Sequence, residues 1–227
     1  MAPQASFKWN DLRARVFSGL AMGVIALLCI WMGGVAFSCL VIAAAIIMMK
    51  EWDALVADQI NAFRVFGYPY IILPCACILW LRTITTASDA LLGFKIVLAL
   101  SAVITATDTG AYFTGKKLGH TKLAPTISPN KTWEGLAGGI AAATLTGLLF
   151  APYLNVSQSY VAALLVSPVI AIIAQCGDLF KSWVKRRAGV KDSGSLIPGH
   201  GGVLDRLDGY MFAAPLLALI IGIALRE

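Results

Sequence analysis

From Val16 to Met49 the chain runs 34 residues without a charged side chain, and Gly33-Gly34 stands in the middle of that run. A helix needs about 20 mostly apolar residues to cross the hydrocarbon layer of a bilayer. The stretch therefore holds two short spans joined by a tight glycine turn. The pattern recurs downstream. A third span is expected at Val65–Leu81, kinked by Pro69 and Pro74, and a fourth at about Ala90–Thr107, with Lys95 near its start. The fifth, sixth and seventh are expected at Gly135–Leu154, Tyr160–Cys176 and Gly209–Leu225. The fold class read from this is all-α: a polytopic transmembrane helical protein of about seven spans.

Composition agrees. Apolar residues of the set AVILMFWYC make up 59% and charged residues only 13%, about half the charged share of a soluble domain. Such hydrophobicity also excludes disorder. The five cysteines (Cys29, Cys39, Cys75, Cys77 and Cys176) sit in or beside apolar runs and read as small buried hydrophobes, with no disulfide framework or zinc spacing. Lys8, Arg13 and Arg15 precede the first apolar run, but no small-x-small cleavage site follows, so a retained span is expected in place of a signal peptide.

Of the 18 lysines and arginines, 15 fall on one side of a seven-span arrangement, Arg82 and Arg226 on the other, and Lys95 is intramembrane or snorkels outward. By the positive-inside bias the N-terminus and the basic side are cytoplasmic. Two polar loops, 108–134 and 177–208, emerge on that face. The chain accordingly divides into N-terminal transmembrane helices, residues 1–107, and a catalytic membrane region, residues 108–227.

The second loop carries Lys185-Arg186-Arg187 and Lys191, charges that suit a polyphosphate. Taken alone these are better read as a polybasic patch on anionic headgroups. The acids shift that weighting. Asp205 and Asp208 are three apart, on one helical face where the seventh span begins, and Asp178 holds the equivalent place after the sixth. Carboxylates at a lipid boundary are costly unless paired or metal-bound, and Mg2+ takes one or two of them while bridging phosphates. Ion pairing with Arg206 and nearby lysines is the alternative for each acid singly. Pro198-Gly199-His200-Gly201-Gly202 is a turn whose backbone can approach an anion. In the first loop, Ser128-Pro129-Asn130-Lys131-Thr132 leads into the fifth span, with Thr132 as a helix cap, and His120 reads as structural. No lipase elbow, zincin helix or P-loop occurs.

Ser182-Trp183-Val184-Lys185-Arg186, then Lys191-Asp192-Ser193-Gly194, then Ile197-Pro198-Gly199-His200-Gly201-Gly202-Val203-Leu204-Asp205-Arg206-Leu207-Asp208 resembles the signature of the phosphatidate cytidylyltransferases (CDP-diglyceride synthases). Ser128–Glu134 and the Asp-Thr-Gly-Ala-Tyr segment from Asp108 are similar to that family too, so the resemblance covers the chain from about Ser101 onward. Members often have more N-terminal spans, and this chain looks like a short version.

The resemblance implies transfer of the cytidylyl group of CTP to phosphatidate, giving CDP-diacylglycerol and pyrophosphate. It implies Mg2+ as cofactor, other divalent ions being compatible. Asp178, Asp205 and Asp208 are then the expected metal ligands or their immediate supports. Lys185, Arg186, Lys191 and Arg206 are expected on phosphate, helped by Asn130 and Lys131, with Ser182, Asp192 and His200 as further site residues. The expected partners are CTP, phosphatidate and membrane lipids, without nucleic acid. The small-residue face Gly135–Gly139 also offers a surface for a homodimer. The implied setting is the bacterial inner membrane, with the site on the cytoplasmic face.

Rival readings are weaker. Asp205-Arg206-Leu207-Asp208-Gly209 opens like a CDP-alcohol phosphotransferase motif, but Phe212-Ala213 stands where that motif has Ala-Arg. A CDP-ether-lipid synthase or CTP-dependent lipid kinase is nearer in chemistry. A transporter or scaffold leaves the crowded acids and bases unexplained.

Overall fold

Gly33 takes φ 64°, a left-handed conformation that glycine adopts without strain, and the chain reverses there between α1 (Trp9–Met32) and α2 (Gly34–Leu55). Arg82, in the last turn of α3 (Asn61–Thr83), closes that corner. Its Nε donates to the Ile30 carbonyl at 2.8 Å and its Nη2 to that of Trp31 at 3.2 Å, satisfying carbonyls that the end of α1 leaves without helical partners. A Cβ at residue 33 would come within 2.4 Å of that guanidinium. The glycine pair read as a turn is thus also a seat for Arg82.

A computed structural model describes residues 9–57, 61–154, 159–190, 193–194 and 201–225. Lys191, Asp192 and His200 lie outside the described residues. After α3 come α4 (Leu92–Leu118), α5 (Trp133–Phe150), α6 (Ser159–Arg187) and α7 (Asp208–Ala224). Five of these seven helices are long and apolar enough to cross a membrane: α2, α3, α4, α5 with its following 3-10 turn, and α6. The apolar part of α1, Phe17–Met32, and α7 are shorter. Large apolar side chains such as Phe17, Trp31, Val35, Leu145, Leu149 and Leu165 stand exposed on the helices, a surface suited to lipid as solvent. Lys95 finds Asp89 at 2.6 Å in the turn before α4, so its charge is paired at the helix end.

Three expectations about this architecture need correction. The fourth and sixth helices overrun their expected ends, reaching Leu118 and Arg187. Asp108 is therefore inside α4, and Asp178, Lys181, Ser182, Lys185 and Arg186 are on α6, not in a loop. Polar residues 175, 178, 181 and 185 recur at three to four residues, so a helix can continue with one polar face after its apolar run ends. The first polar loop also contains the one short sheet among the described residues: β1 (Lys122–Ala124) pairs antiparallel with β2 (Ser128–Thr132), in register Lys122↔Thr132 and Ala124↔Ser128. Thr132 caps α5 as expected, its Oγ1 accepting from the Gly135 N–H at 3.1 Å.

The third correction concerns the Gly135–Gly139 face. It meets α4 within the same chain, not a second copy. A Cβ on Gly139 would lie 2.9 Å from the Thr107 carbonyl oxygen, and one on Gly135 3.0 Å from that of Ala111. From the other side, a Cβ on Gly110 would lie 2.7 Å from Ala142 Cβ and 2.8 Å from the Gly138 carbonyl. Small residues let two helices in an apolar medium approach closely where no hydrophobic force separates lipid from protein contacts. Because the obstacles are a Cβ and a backbone carbonyl, neither of which can rotate away, Gly110→Ala should destabilise by about 1–3 kcal/mol. Thermal unfolding of the detergent-solubilised protein checks this; an unchanged Tm would contradict so close an α4–α5 contact.

Candidate active site

Lys181 is 2% exposed, among the largest fully buried side chains of the protein. An ammonium so placed is tolerated only with carboxylate partners. It has two: its Nζ is 3.1 Å from Asp205 Oδ1 and makes a very short contact with Asp208 Oδ2. One turn further along α6, Lys185 Nζ donates to the same Asp205 oxygen at 2.9 Å. The other oxygen of Asp205 accepts from the N–H groups of Ser193, at 2.9 Å, and Gly202, at 3.2 Å. Burial opposes charge on Asp205, but the Lys185 hydrogen bond, the Lys181 charge and the Ser193 N–H outweigh it and hold the carboxyl well below its usual range.

One turn before Lys181, Asp178 meets Lys131 of β2 at 2.6 Å. Lys131 also donates to Gln175 Oε1 at 2.6 Å, and Gln175 Nε2 donates to Asp108 Oδ1 at 3.1 Å. Asp178, on α6, and Asp208, at the start of α7, line the same cleft. A continuous polar chain thus links α4, β2, α6, α7 and the segment before α7.

These groups line a cleft of about 450 Å³, within the usual range for small-molecule sites. Its walls carry four acids (Asp108, Asp178, Asp205, Asp208) against four bases (Lys131, Lys181, Lys185, Arg206), together with Asn130. Of the residues expected from the sequence, Asp178, Asp205, Asp208, Lys185, Arg206, Asn130 and Lys131 are brought together here. Ser182 is half-buried on α6 and Arg186 donates to the Ile127 carbonyl at 3.3 Å, bracing the hairpin; neither lines the cleft.

Lys181, Gln175 and Asp108 belong to the site although the sequence reading gave them no role in it. The three-to-four spacing of polar residues along α6 is the signal that finds Gln175 and Lys181. For Asp108 the signal is an acid at the edge of an apolar run.

The donor set fits a divalent metal of the hard class. Among the described residues no group of three or more His, Cys, Asp or Glu is disposed to hold an ion. Two neighbouring carboxylates, Asp178 and Asp208, are however what Mg2+ commonly uses, with water and phosphate oxygens completing its shell. Asp205 differs, since each of its oxygens already serves two donors.

Because the Asp205 carboxyl titrates below its ordinary 3.8, its contribution to stability is present above that value and is lost as pH falls below it toward the depressed folded pKa. Asp205→Asn should cost about 3–5 kcal/mol by stranding buried lysines. The Tm gap from wild type should stay level from about pH 8 to pH 5 and narrow only below about pH 4. A gap that closes near neutrality would contradict the pairing.

Comparison with known proteins matches residues 61–224 to a profile described as the cytidylyltransferase family. A phosphatidate cytidylyltransferase of Brucella suis is 39% identical, with 92% of this chain and 93% of the relative covered. That of Rickettsia typhi is 35% identical, covering 91% and 90%. The Bacillus subtilis protein of the same name is 44% identical over 131 residues, 58% of this chain and 49% of the relative. With the profile spanning most of the chain and relatives aligned along nearly all of it, the chain belongs to the phosphatidate cytidylyltransferase family.

Proposed function

We propose that CTP and phosphatidate meet in the cleft between α4, β2, α6 and α7, where the chain transfers the cytidylyl group of CTP to phosphatidate and releases pyrophosphate. The observation that carries this reading is one cleft lined by the carboxylates of Asp178 and Asp208 among Lys131, Lys181, Lys185 and Arg206. In this reading all seven helices span the membrane, the N-terminus and the cleft face the cytoplasm, and the lipid tails stay in the bilayer while CTP enters from water.

The chemistry needs no protein nucleophile. A phosphate oxygen of phosphatidate attacks the α-phosphorus of CTP, the bond from that phosphorus to the bridging β-phosphate oxygen breaks, and pyrophosphate leaves with the bonding pair. The protein's task is to bring two polyanions into line and to stabilise charge on the leaving group. Lys185 and Arg206 supply counter-charge to the triphosphate, with Lys131 and Asn130 acting from the hairpin side. Lys181 is held too deeply for this and orients Asp208 and Asp205 instead. Asp178 and Asp208 would hold Mg2+, whose charge offsets that of the triphosphate and the departing pyrophosphate. The wall charges favour such an ion: among the described residues four acids balance four bases, while two polyanions must be brought in. Lys191, Asp192 and His200 keep the roles that the family signature implies, on phosphate and at the glycine turn.

Asp208→Asn should remove turnover, by about a hundredfold or more, while the protein still inserts and purifies. Conversion of labelled CTP by protein in phosphatidate-containing micelles, with and without Mg2+, measures this. Activity retained in the variant, or turnover of the wild type in chelator, would refute the assignment. Lys185→Ala should raise KM for CTP more than KM for phosphatidate in the same assay; an equal rise in both would argue against a triphosphate contact.

A further inference from the structure

Glu51, near the end of α2, is 8% exposed, and no lysine or arginine is paired with it among the described residues. Its partners are backbone. Oε1 accepts from the Val203 N–H at 2.9 Å and Oε2 from the Leu204 N–H at 2.8 Å. Two glycines of the signature pack directly on the carboxylate. A Cβ on Gly202 would come within 2.5 Å of Oε2, and one on Gly194 within 2.9 Å of Oε1. Leu204, fully buried among Met48, Trp52 and Val184, pins the same turn from below.

The turn held in this way is the one that builds Asp205. The Gly202 N–H donates to Asp205 Oδ2, the Asp205 N–H closes back on the Gly202 carbonyl at 3.2 Å, and Arg206 follows on the cleft wall. We infer that Glu51 is a positioning residue for nucleotide binding: by clamping the Val203-Leu204 backbone it fixes the glycine-rich turn that holds Asp205 against Lys181 and Lys185 and presents Arg206 to the triphosphate. It lies ahead of residue 61, where the family profile begins to match. The N-terminal helices therefore supply a working part of the site as well as a membrane anchor. The inference rests on the assignment of this turn to the triphosphate.

The test uses the full chain in detergent and compares KM for CTP, KM for phosphatidate and Tm. Glu51→Gln keeps the shape but turns an amide NH2 toward a backbone N–H. It should raise KM for CTP on the order of tenfold, leave KM for phosphatidate within about twofold, and leave the protein folded. Gly202→Ala displaces the same carboxylate from the loop side and should show the same CTP-selective rise, so the inference stays testable if Glu51→Gln does not fold. The double variant should be no worse than the worse single, because both break one clamp. A lowered Tm with KM for CTP unchanged in both single variants, or losses that multiply in the double, would overturn the inference. Lys185→Ala serves as the reference. If it raises KM for CTP while neither clamp variant does, the role of Glu51 alone fails. If Lys185→Ala leaves KM for CTP unchanged, the triphosphate assignment fails and this inference with it.

Discussion

A single buried ammonium organises the functional half of this protein. Lys181 sits on the inner face of α6 with almost no contact with solvent, and its charge is tolerable only because Asp205 and Asp208 reach it from the segment entering α7. Removing one member of a buried ion group leaves an uncompensated charge, which costs far more than the group contributes when intact. That asymmetry ties α6 to α7 in one register and fixes where Asp208 stands relative to Asp178. Lys131 and Gln175 then extend the same polar chain to β2 and, through Asp108, to α4.

The polar chain needs a rigid frame, and the frame is built from small residues. Gly110, Gly135 and Gly139 allow α4 and α5 to approach until backbone meets side chain, and this brings Asp108 and the hairpin to one side of the cleft. Aromatic rings of α3, α6 and α7 (Tyr70, Phe180 and Phe212) pack with centroids 5.3–5.8 Å apart and tie these three helices together. The charged walls of the cleft are interrupted by apolar residues of α4, α5 and the hairpin, Ala111, Leu136 and Leu123. The acids divide the work: Asp205 holds the glycine turn with one oxygen and Lys181 and Lys185 with the other, while Asp178 and Asp208 meet one lysine each, Lys131 and Lys181.

Much of this was legible in the sequence, for identifiable reasons. The uncharged run with Gly33-Gly34 gave the first two helices, because few residues other than glycine accept that turn. The acids at span ends marked the cleft, because a carboxylate at a lipid boundary demands a partner. Helix ends were misplaced where polar residues continue a helix beyond its apolar part: hydropathy falls after Cys176, while the polar three-to-four spacing carries α6 on to Arg187. The Gly135–Gly139 face was read correctly as a helix contact but given the wrong partner, since spacing alone cannot say which helix lies opposite. Glu51 gave no signal beyond being an acid after an apolar run, and its meaning lies in a backbone turn some 150 residues away.

The central claim is that Asp178 and Asp208 hold the metal in exchange for part of their lysine pairing, while Asp205, with two donors on each oxygen, holds the glycine turn. Binding of Mn2+ in place of Mg2+, followed by electron paramagnetic resonance in the presence of CTP, tests this without relying on turnover. The account predicts a bound-ion signal in the wild type that persists, though weakened, in Asp205→Asn and is lost in both Asp178→Asn and Asp208→Asn. Retention of the signal in Asp208→Asn, or its complete loss in Asp205→Asn, would contradict it.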